Sequence, residues 1–219
     1  MAITYRDFAE VATGSGAITY SGLAIGPAAS DRLVVVGVSQ RLNSISSMTI
    51  GGVTATEVVS QVSDRFNFSA ALYTAVVPTG TTADVVVTVS GTVRWQSVGV
   101  WTGDGLTLSA SASTASASTS LSTVDGGDHV AVVSHAGTSG AMSWSGVTAS
   151  WTQATDAADA DDWSQGGAAV SSGTSVTISL SGSSGAAIAL ACASFSVSAS
   201  GAPAVNAQNN NMRSIRMSP

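Results

Sequence analysis

The chain contains two histidines, His129 and His135, which are the first residues to test for metal binding or proton transfer. They stand six residues apart in an apolar segment with the pattern of a strand, so both side chains are expected on the same face. A gap of six residues along a strand spans about 20 Å, whereas the ligands of one zinc ion lie within bonding distance of it. The spacing therefore predicts two ordinary surface or half-buried histidines and no shared metal ion.

A second group of candidate ligands is the segment TDAADADDW, residues 155–163, which holds four carboxylates. Calcium favours clustered loop carboxylates, but the alternating ligands and distal glutamate of an EF-hand are missing here. We therefore expect a solvated acidic loop that binds no metal, with its carboxylates facing solvent: Asp156, Asp159, Asp161 and Asp162.

The sequence contains no motif typical of nucleophilic catalysis or of phosphate binding. The protein has no lysine, so its glycine-rich stretches lack the residue that a Walker loop needs. No serine stands in a Gly-x-Ser-x-Gly elbow, and Cys192 lies in the apolar run AIALACASF, typical of a buried small side chain. The sequence predicts no catalytic residues, no cofactor and no enzymatic activity.

The tryptophans are the remaining side chains with a specific binding chemistry, because exposed indole rings stack on sugars. Trp101 and Trp144 occupy segments predicted to face a core, and Trp144 aligns with Ile50 in the repeat described below. Trp151 and Trp163 flank the acidic segment and are the candidate surface aromatics. The alternative for this pair is core packing or a contact between subunits.

Composition narrows the fold and the partners. Charged residues make up 9% of the chain and hydrophobic residues 44%, so it should fold rather than remain disordered. Helix formers are scarce among abundant Val, Thr, Ser and Gly, which favours β-structure throughout. The net charge of −6 argues against nucleic-acid or anionic-membrane surfaces. The first residues lack the basic and apolar regions of a secretory signal.

An internal duplication organises the chain. GGVTATE (51–57) recurs as SGVTASW (145–151), and DRLVVVGVS (31–39) matches DHVAVVSHA (128–136). Two further pairs follow in the same order, VVVTVSG with VTISLSG and SVGVWT with AIALAC. Ordered matches with slowly decreasing offsets are expected of a duplication with small loop deletions. Residues 31–39 and 128–136 are therefore predicted to be equivalent central strands.

Each copy has the pattern of a β-sandwich. LVVVGV is apolar at consecutive positions, as expected of a central strand, and Gly51-Gly52 between two β runs predicts a hairpin. The predicted fold is all-β, a jelly-roll or immunoglobulin-like sandwich built from two repeated units, and the sequence leaves open whether they pack as one sandwich or two. The predicted divisions are an N-terminal arm (1–13), a first β unit (14–104), a Ser/Ala linker or edge strand (105–118), a second β unit (119–197) and an extended C-terminal arm (198–219).

The last segment, SASGAPAVNAQNNNMRSIRMSP, has few apolar side chains with which to pack on its own unit. Ordering it costs about 1–2 kcal/mol per residue in backbone entropy, so an ordered arm needs another subunit. The candidate subunit contacts are Met212, Arg213, Ile215, Arg216 and Met217.

The segments SSMTIGGVTATEVVS, ALYTAVVPTGTTADVVVTVSG and SVGVWTGDGL resemble structural proteins of tailed bacteriophages and prophages. The resemblance covers most of residues 16–197 and carries no functional residue. It implies a virion protein of the capsid-decoration, head-fibre or tail type, made in the bacterial cytoplasm. Its expected partners are copies of itself and other virion proteins, with no nucleic acid and no membrane. The alternative is a carbohydrate-binding or host-receptor-binding module.

Overall fold

The computed structural model describes residues 3–63, 67–122, 127–136, 143–154, 162–170, 173–181 and 187–197. These residues form seventeen strands in four antiparallel sheets. The predicted all-β fold with two repeated sandwich units is confirmed, because the sheets pack in pairs and each pair encloses a core.

The first unit consists of sheets A and B. Sheet A has the strand order β1 (Thr4–Val11), β9 (Trp95–Asp104), β3 (Arg32–Arg41), β7 (Phe68–Val76) and β6 (Thr56–Val62). Sheet B has the order β2 (Gly14–Ala24), β8 (Thr82–Val93), β4 (Ile45–Ile50) and β5 (Val53–Thr54).

The second unit repeats this plan in sheets C and D. Sheet C has the order β10 (Leu106–Thr114), β17 (Ile188–Val197), β12 (Asp128–Ala136), β15 (Asp162–Val170) and β14 (Thr148–Ala154). Sheet D has the order β11 (Ser118–Ser122), β16 (Ser175–Ser181) and β13 (Ser143–Ser145).

The strand registers confirm that β3 and β12 are equivalent central strands. Val35 of β3 pairs with Trp101 of β9, and Val132 of β12 pairs with Ala191 of β17. The sequence repeat aligns Val35 with Val132 and Trp101 with Ala191, so corresponding residues are paired in the two units. The duplication is therefore a structural repeat and not only a similarity of composition.

The four sheets stack in the order B, A, C, D. One apolar core lies between sheets B and A, a second between A and C, and a third between C and D. Strand β3 shows why sheet A has a core on each side, since Val34 and Val36 enter the first core while Val35 enters the second. A strand that is apolar on both faces can be buried on both faces.

Two segments that the sequence placed outside the β units are strands. Residues 4–11, placed in an N-terminal arm, form β1 at one edge of sheet A. The Ser/Ala stretch provides β10 at one edge of sheet C and then turns into β11 of sheet D. The structure therefore places both stretches at sheet edges.

The predicted hairpin joins β4 and β5. Gly51 and Gly52 have φ of 58° and 78°, and Ile50 pairs with Val53 across the turn. Two successive residues with positive φ are the requirement of the type I′ turn that closes a two-residue hairpin.

Within the described ranges, no helix has the length and hydrophobicity to cross a membrane.

Candidate functional site

The seam, meaning the interface between sheets A and C, is where the two units meet. The Ser39 hydroxyl of β3 donates to the Val133 carbonyl at 3.1 Å, and the Ser134 hydroxyl of β12 donates to the Gln40 carbonyl at 3.1 Å. A serine side chain can reach the opposite main chain only if the two strands lie closer than the usual sheet spacing of about 10 Å. Small residues at the centre of the seam allow this approach.

An aromatic cluster fills one side of the seam. Trp151 of β14 packs against Trp101, Tyr5 and Phe8 of the first unit, with centroid distances of 5.0, 6.2 and 5.5 Å. Its indole N–H donates to the Ser164 hydroxyl, which also lies 2.5 Å from the Ser97 hydroxyl. The cluster therefore combines ring packing with a buried polar contact between the units.

The prediction that Trp151 is a surface aromatic is wrong, because its side chain is only 7% exposed. The physical reason is that both faces of sheet C are covered, and a bulge in β14, where the pairing with β15 shifts between Ala149 and Trp151, directs the ring to the face that sheet A covers. Without the shift, alternation would place Trp151 on the face that Val147 presents to sheet D. Two glycines then make room for the ring, since a Cβ on Gly99 or Gly166 would lie 2.0 or 2.1 Å from it.

The other tryptophans have different environments. Trp101 is fully buried, as predicted, but it lies in the seam rather than inside one sandwich. Trp144 is half-buried against the core of the second unit. Its alignment with Ile50 fails in register: Ile50 pairs with Val85, whereas Trp144 pairs with Leu180, the repeat counterpart of Val89.

Trp163 lies on β15, where its backbone pairs with His135 and Ala154. Asp162 begins the same strand, and its backbone pairs with Ala136. The other three predicted acidic residues, Asp156, Asp159 and Asp161, lie outside the described residues, as do the five candidate contacts in the arm: Met212, Arg213, Ile215, Arg216 and Met217.

Both histidines are buried, so the prediction of surface or half-buried rings is wrong. His129 Nε2 forms a hydrogen bond with the Gly146 carbonyl, and His135 Nε2 lies 3.1 Å from Gln165 Oε1. Burial lowers the pKa of His135 to about 4, so its ring is neutral at neutral pH. Across the described ranges, no three His, Cys, Asp or Glu side chains are placed to hold a metal ion.

Arg32 is a buried charge that the sequence did not single out. Its guanidinium donates five hydrogen bonds to main-chain carbonyls, at Gly26, Pro27, Val77, Thr79 and Gly80. Burial lowers its pKa, and nearby Asp104 opposes that shift. Because its donors are all directed at loop carbonyls, Arg32 fixes two loops of the first unit rather than presenting a charge to a ligand. The sequence did contain one signal for Arg32, since the repeat aligns it with His129.

A cleft of about 330 Å³ opens at the edge of the seam, between β1 and β14–β15. Tyr5, Thr148 and Ser150 contribute polar atoms to its lining, and Ile3 and Val170 contribute apolar surface. Beside it the Ile3 N–H donates to Asp128 Oδ2 at 2.8 Å. Burial raises the pKa of Asp128, and the Ile3 hydrogen bond opposes that shift. The cleft is open to solvent, and its lining mixes polar and apolar groups.

A smaller concavity of about 70 Å³ lies on the face of β6 and β7. Glu57 accepts hydrogen bonds from the Tyr73 and Ser60 hydroxyls, each at 2.7 Å. Burial, followed by the hydrogen bond to Glu57, raises the pKa of Tyr73. The raised pKa means that the Tyr73 hydroxyl stays protonated at neutral pH and acts as a donor to Glu57.

The four sheets of the described fold have two edge strands each. Of eight edge strands, five are irregular: β1, β6, β10 and β14 carry one register shift each, and β2 carries two. Two others are very short, with two residues in β5 and three in β13. Bulges and short strands are ways of limiting edge pairing. The remaining edge, β11, has five residues in unbroken register.

Comparison with protein families, with characterised proteins and with solved structures finds no match for this chain. What the protein does must therefore be inferred from its own residues.

Proposed function

We propose that this protein is a non-enzymatic structural protein of a tailed-bacteriophage virion, most simply a capsid-decoration or head-fibre protein. It would bind neighbouring virion subunits through its sheet edges and terminal arms. A tail component is the alternative position within the same particle. The observation that carries the proposal is the unbroken edge of β11, because main-chain groups at an edge can bind an extended segment of another chain.

The buried polar groups support this reading. Arg32, His129, Ser39 and Ser134 direct donors or acceptors at main-chain atoms of the same chain. Such contacts fix loops and layers in place, which is what a structural component needs. The sequence resemblance to virion proteins points in the same direction.

The direct test is to purify particles from the bacterium that carries the coding sequence and to locate this chain with a gold-labelled antibody. The proposal predicts regular labelling of heads or tails. Unlabelled particles, with the antibody signal confined to the soluble fraction of the lysate, would contradict it.

The C-terminal arm is tested by deleting residues 203–219. The shortened protein should remain folded and soluble but should no longer enter particles, because its subunit contacts are lost. A control that replaces the segment with a Gly/Ser sequence of equal length separates loss of contacts from loss of length. Normal incorporation of the shortened protein would contradict the arm's role.

A carbohydrate-binding or receptor-binding module is the second candidate, favoured by the cleft beside Tyr5. Replacing the exposed Thr148 with arginine would fill this cleft. If the module binds glycans, the native protein should label specific sugars on a glycan array and Thr148→Arg should not. Thr177→Arg, at an exposed position of sheet D, is the matched control.

A further inference from the structure

Among the described residues, no strand pairs with the outer edge of β11. It pairs with β16 on one side, from Ser118 opposite Ser179 to Ser122 opposite Ser175, with no shift in register. It contains neither proline nor a charged residue. Both features leave an edge open to pairing with another strand.

The hydrogen-bond pattern shows which groups β11 directs outward. The Leu180 N–H donates to the Ala117 carbonyl at 2.8 Å, which fixes the phase of the ladder. In an antiparallel pair, hydrogen-bonded residues alternate with residues whose main-chain groups point away. Thr119 and Leu121 therefore face β16, while Ser118, Ser120 and Ser122 direct their N–H and C=O groups to the open side. The Ser122 carbonyl also accepts a hydrogen bond from the Ser194 hydroxyl.

The duplication supplies an internal comparison. In the first unit the equivalent strand, β2, is broken by two register shifts, and its Ala24 N–H is bonded to Asp7 of β1. The neighbouring strand β1 carries Arg6, Asp7 and Glu10. In the second unit the whole stretch 106–122, which forms β10 and β11, contains no charged residue. The two units therefore differ at the edge that would meet another molecule.

The composition of this edge fits a second copy of the same chain. The β11 sequence STSLS has serine at its first, third and fifth positions. In an antiparallel pair centred on Ser120, Ser118 would stand opposite Ser122 of the second copy and Ser120 opposite itself. A twofold axis brings identical residues together, so a charge there would oppose its like.

We infer that β11 pairs edge to edge with β11 of a second copy, joining the two D sheets into one continuous sheet across a twofold axis. Such a pair would form about six main-chain hydrogen bonds, and in two of them the Ser122 carbonyl would accept a second donor beside the Ser194 hydroxyl. Two short strands bury less than the roughly 1,200 Å² of a stable interface. A single contact would therefore be weak, and an assembly would contain many copies of it. This inference rests on the proposed function and identifies one of its contacts.

Cross-linking tests the geometry directly. In Ser120→Cys, the two new thiols would stand opposite each other at a Cα separation of about 5.5 Å, within disulfide range. Thr177→Cys is the matched control, since Thr177 is exposed and pairs with Ser120 from β16. Across the proposed axis its copies would lie three strand spacings apart, about 14 Å. Mild oxidation should give at least about tenfold more covalent dimer for Ser120→Cys, and equal yields or no dimer would overturn the inference.

A charge exchange tests the register. Ser120→Lys and Ser120→Glu should each abolish the self-association that sedimentation detects in the concentrated native protein. Mixing the two variants should restore it, because opposite charges would then face each other across the axis. A mixture no more associated than its components would overturn the inference. Far-UV circular dichroism of both variants checks that they are folded.

The outcome can be separated from that of the proposed function. If Ser120→Cys fails to dimerise but the chain is found in particles, the β11 contact is wrong and the structural function stands. If the dimer forms but the chain is absent from particles, the pairing stands and the virion proposal is wrong.

Discussion

At the scale of single residues, the seam depends on glycines that leave room for an indole ring. A Cβ at Gly99 would lie 2.0 Å from Trp151, and the ring is held by surrounding aromatic side chains. We predict that Gly99→Ala lowers the free energy of unfolding by about 1–3 kcal/mol, the usual cost of overpacking a core. Urea unfolding followed by far-UV circular dichroism measures this.

The control for this prediction is Gly173→Ala, where an added Cβ meets no atom within 4 Å. It should change stability by less than about 0.5 kcal/mol. Equal effects of the two substitutions would contradict the close fit at Trp151. The double variant Gly99→Ala with Trp151→Leu should lose less than the sum of its single substitutions, because a smaller side chain relieves the clash.

His135 gives the fold a dependence on pH. Its folded pKa of about 4 lies below the ordinary value near 6.5. The unfolded chain therefore takes up a proton at higher pH than the folded chain does. The stability that neutral His135 contributes is complete above about pH 6.5 and is lost as the pH falls towards 4, by about 3 kcal/mol at most.

The matched variant for this prediction is His135→Val, because Val38 occupies the equivalent position of the first unit and is also buried. Both proteins are unfolded in urea at pH 7 and at pH 4.5. We expect the native protein to lose more stability than the variant over this interval. Parallel losses would show that another group dominates the pH dependence.

At the scale of elements, the β4–β5 hairpin tests how much its turn depends on backbone conformation. Gly52 has φ of 78°, and a Cβ there would meet no atom within 4 Å. Any effect of Gly52→Ala therefore comes from the left-handed conformation, at about 1–2 kcal/mol. Gly52→Asn should cost less, because asparagine tolerates this conformation. Equal losses of thermal stability in the two variants would contradict the turn assignment.

The edge strands differ between the units more than the central strands do. β3 and β12 keep the same neighbours and register, whereas β2 and β11 differ in length and regularity. A central strand is constrained by pairing on both sides, while an edge strand is constrained on one side only. After a duplication, edges are therefore the elements most free to acquire separate contacts.

At the scale of the whole molecule, the seam should make the two units unfold together. It buries large side chains from both units, including Trp101, Trp151 and Phe195. Separating the sheets would expose these faces to water at about 25 cal/mol per Å² of apolar area. We predict one cooperative transition in urea, with tryptophan fluorescence and far-UV circular dichroism changing together.

The corresponding experiment on fragments expresses residues 1–104 and 105–219 separately. Each should aggregate or remain partly unfolded alone, and mixing them should restore the fluorescence of the intact chain. Two well-resolved transitions in the intact chain, or two soluble and independently stable fragments, would contradict a cooperative seam.

The sequence by itself determined the β class, the duplication, the equivalence of β3 and β12 and the Gly51-Gly52 hairpin. Each depends on local chemistry or on an ordered comparison of one copy with the other. Two-residue alternation and positive-φ glycines are local properties, so they can be recognised before any long-range contact is known.

Only the tertiary structure decided that the two sandwiches share a buried seam and that Trp151 and His135 are inside. Alternation shows that a strand has two faces, but whether a face is covered depends on the packing of other sheets. At Trp151 a single bulge moves the side chain to the opposite face, and the sequence around it carries no separate signal for that shift. Burial at the seam was therefore decided by the way in which two similar units stack.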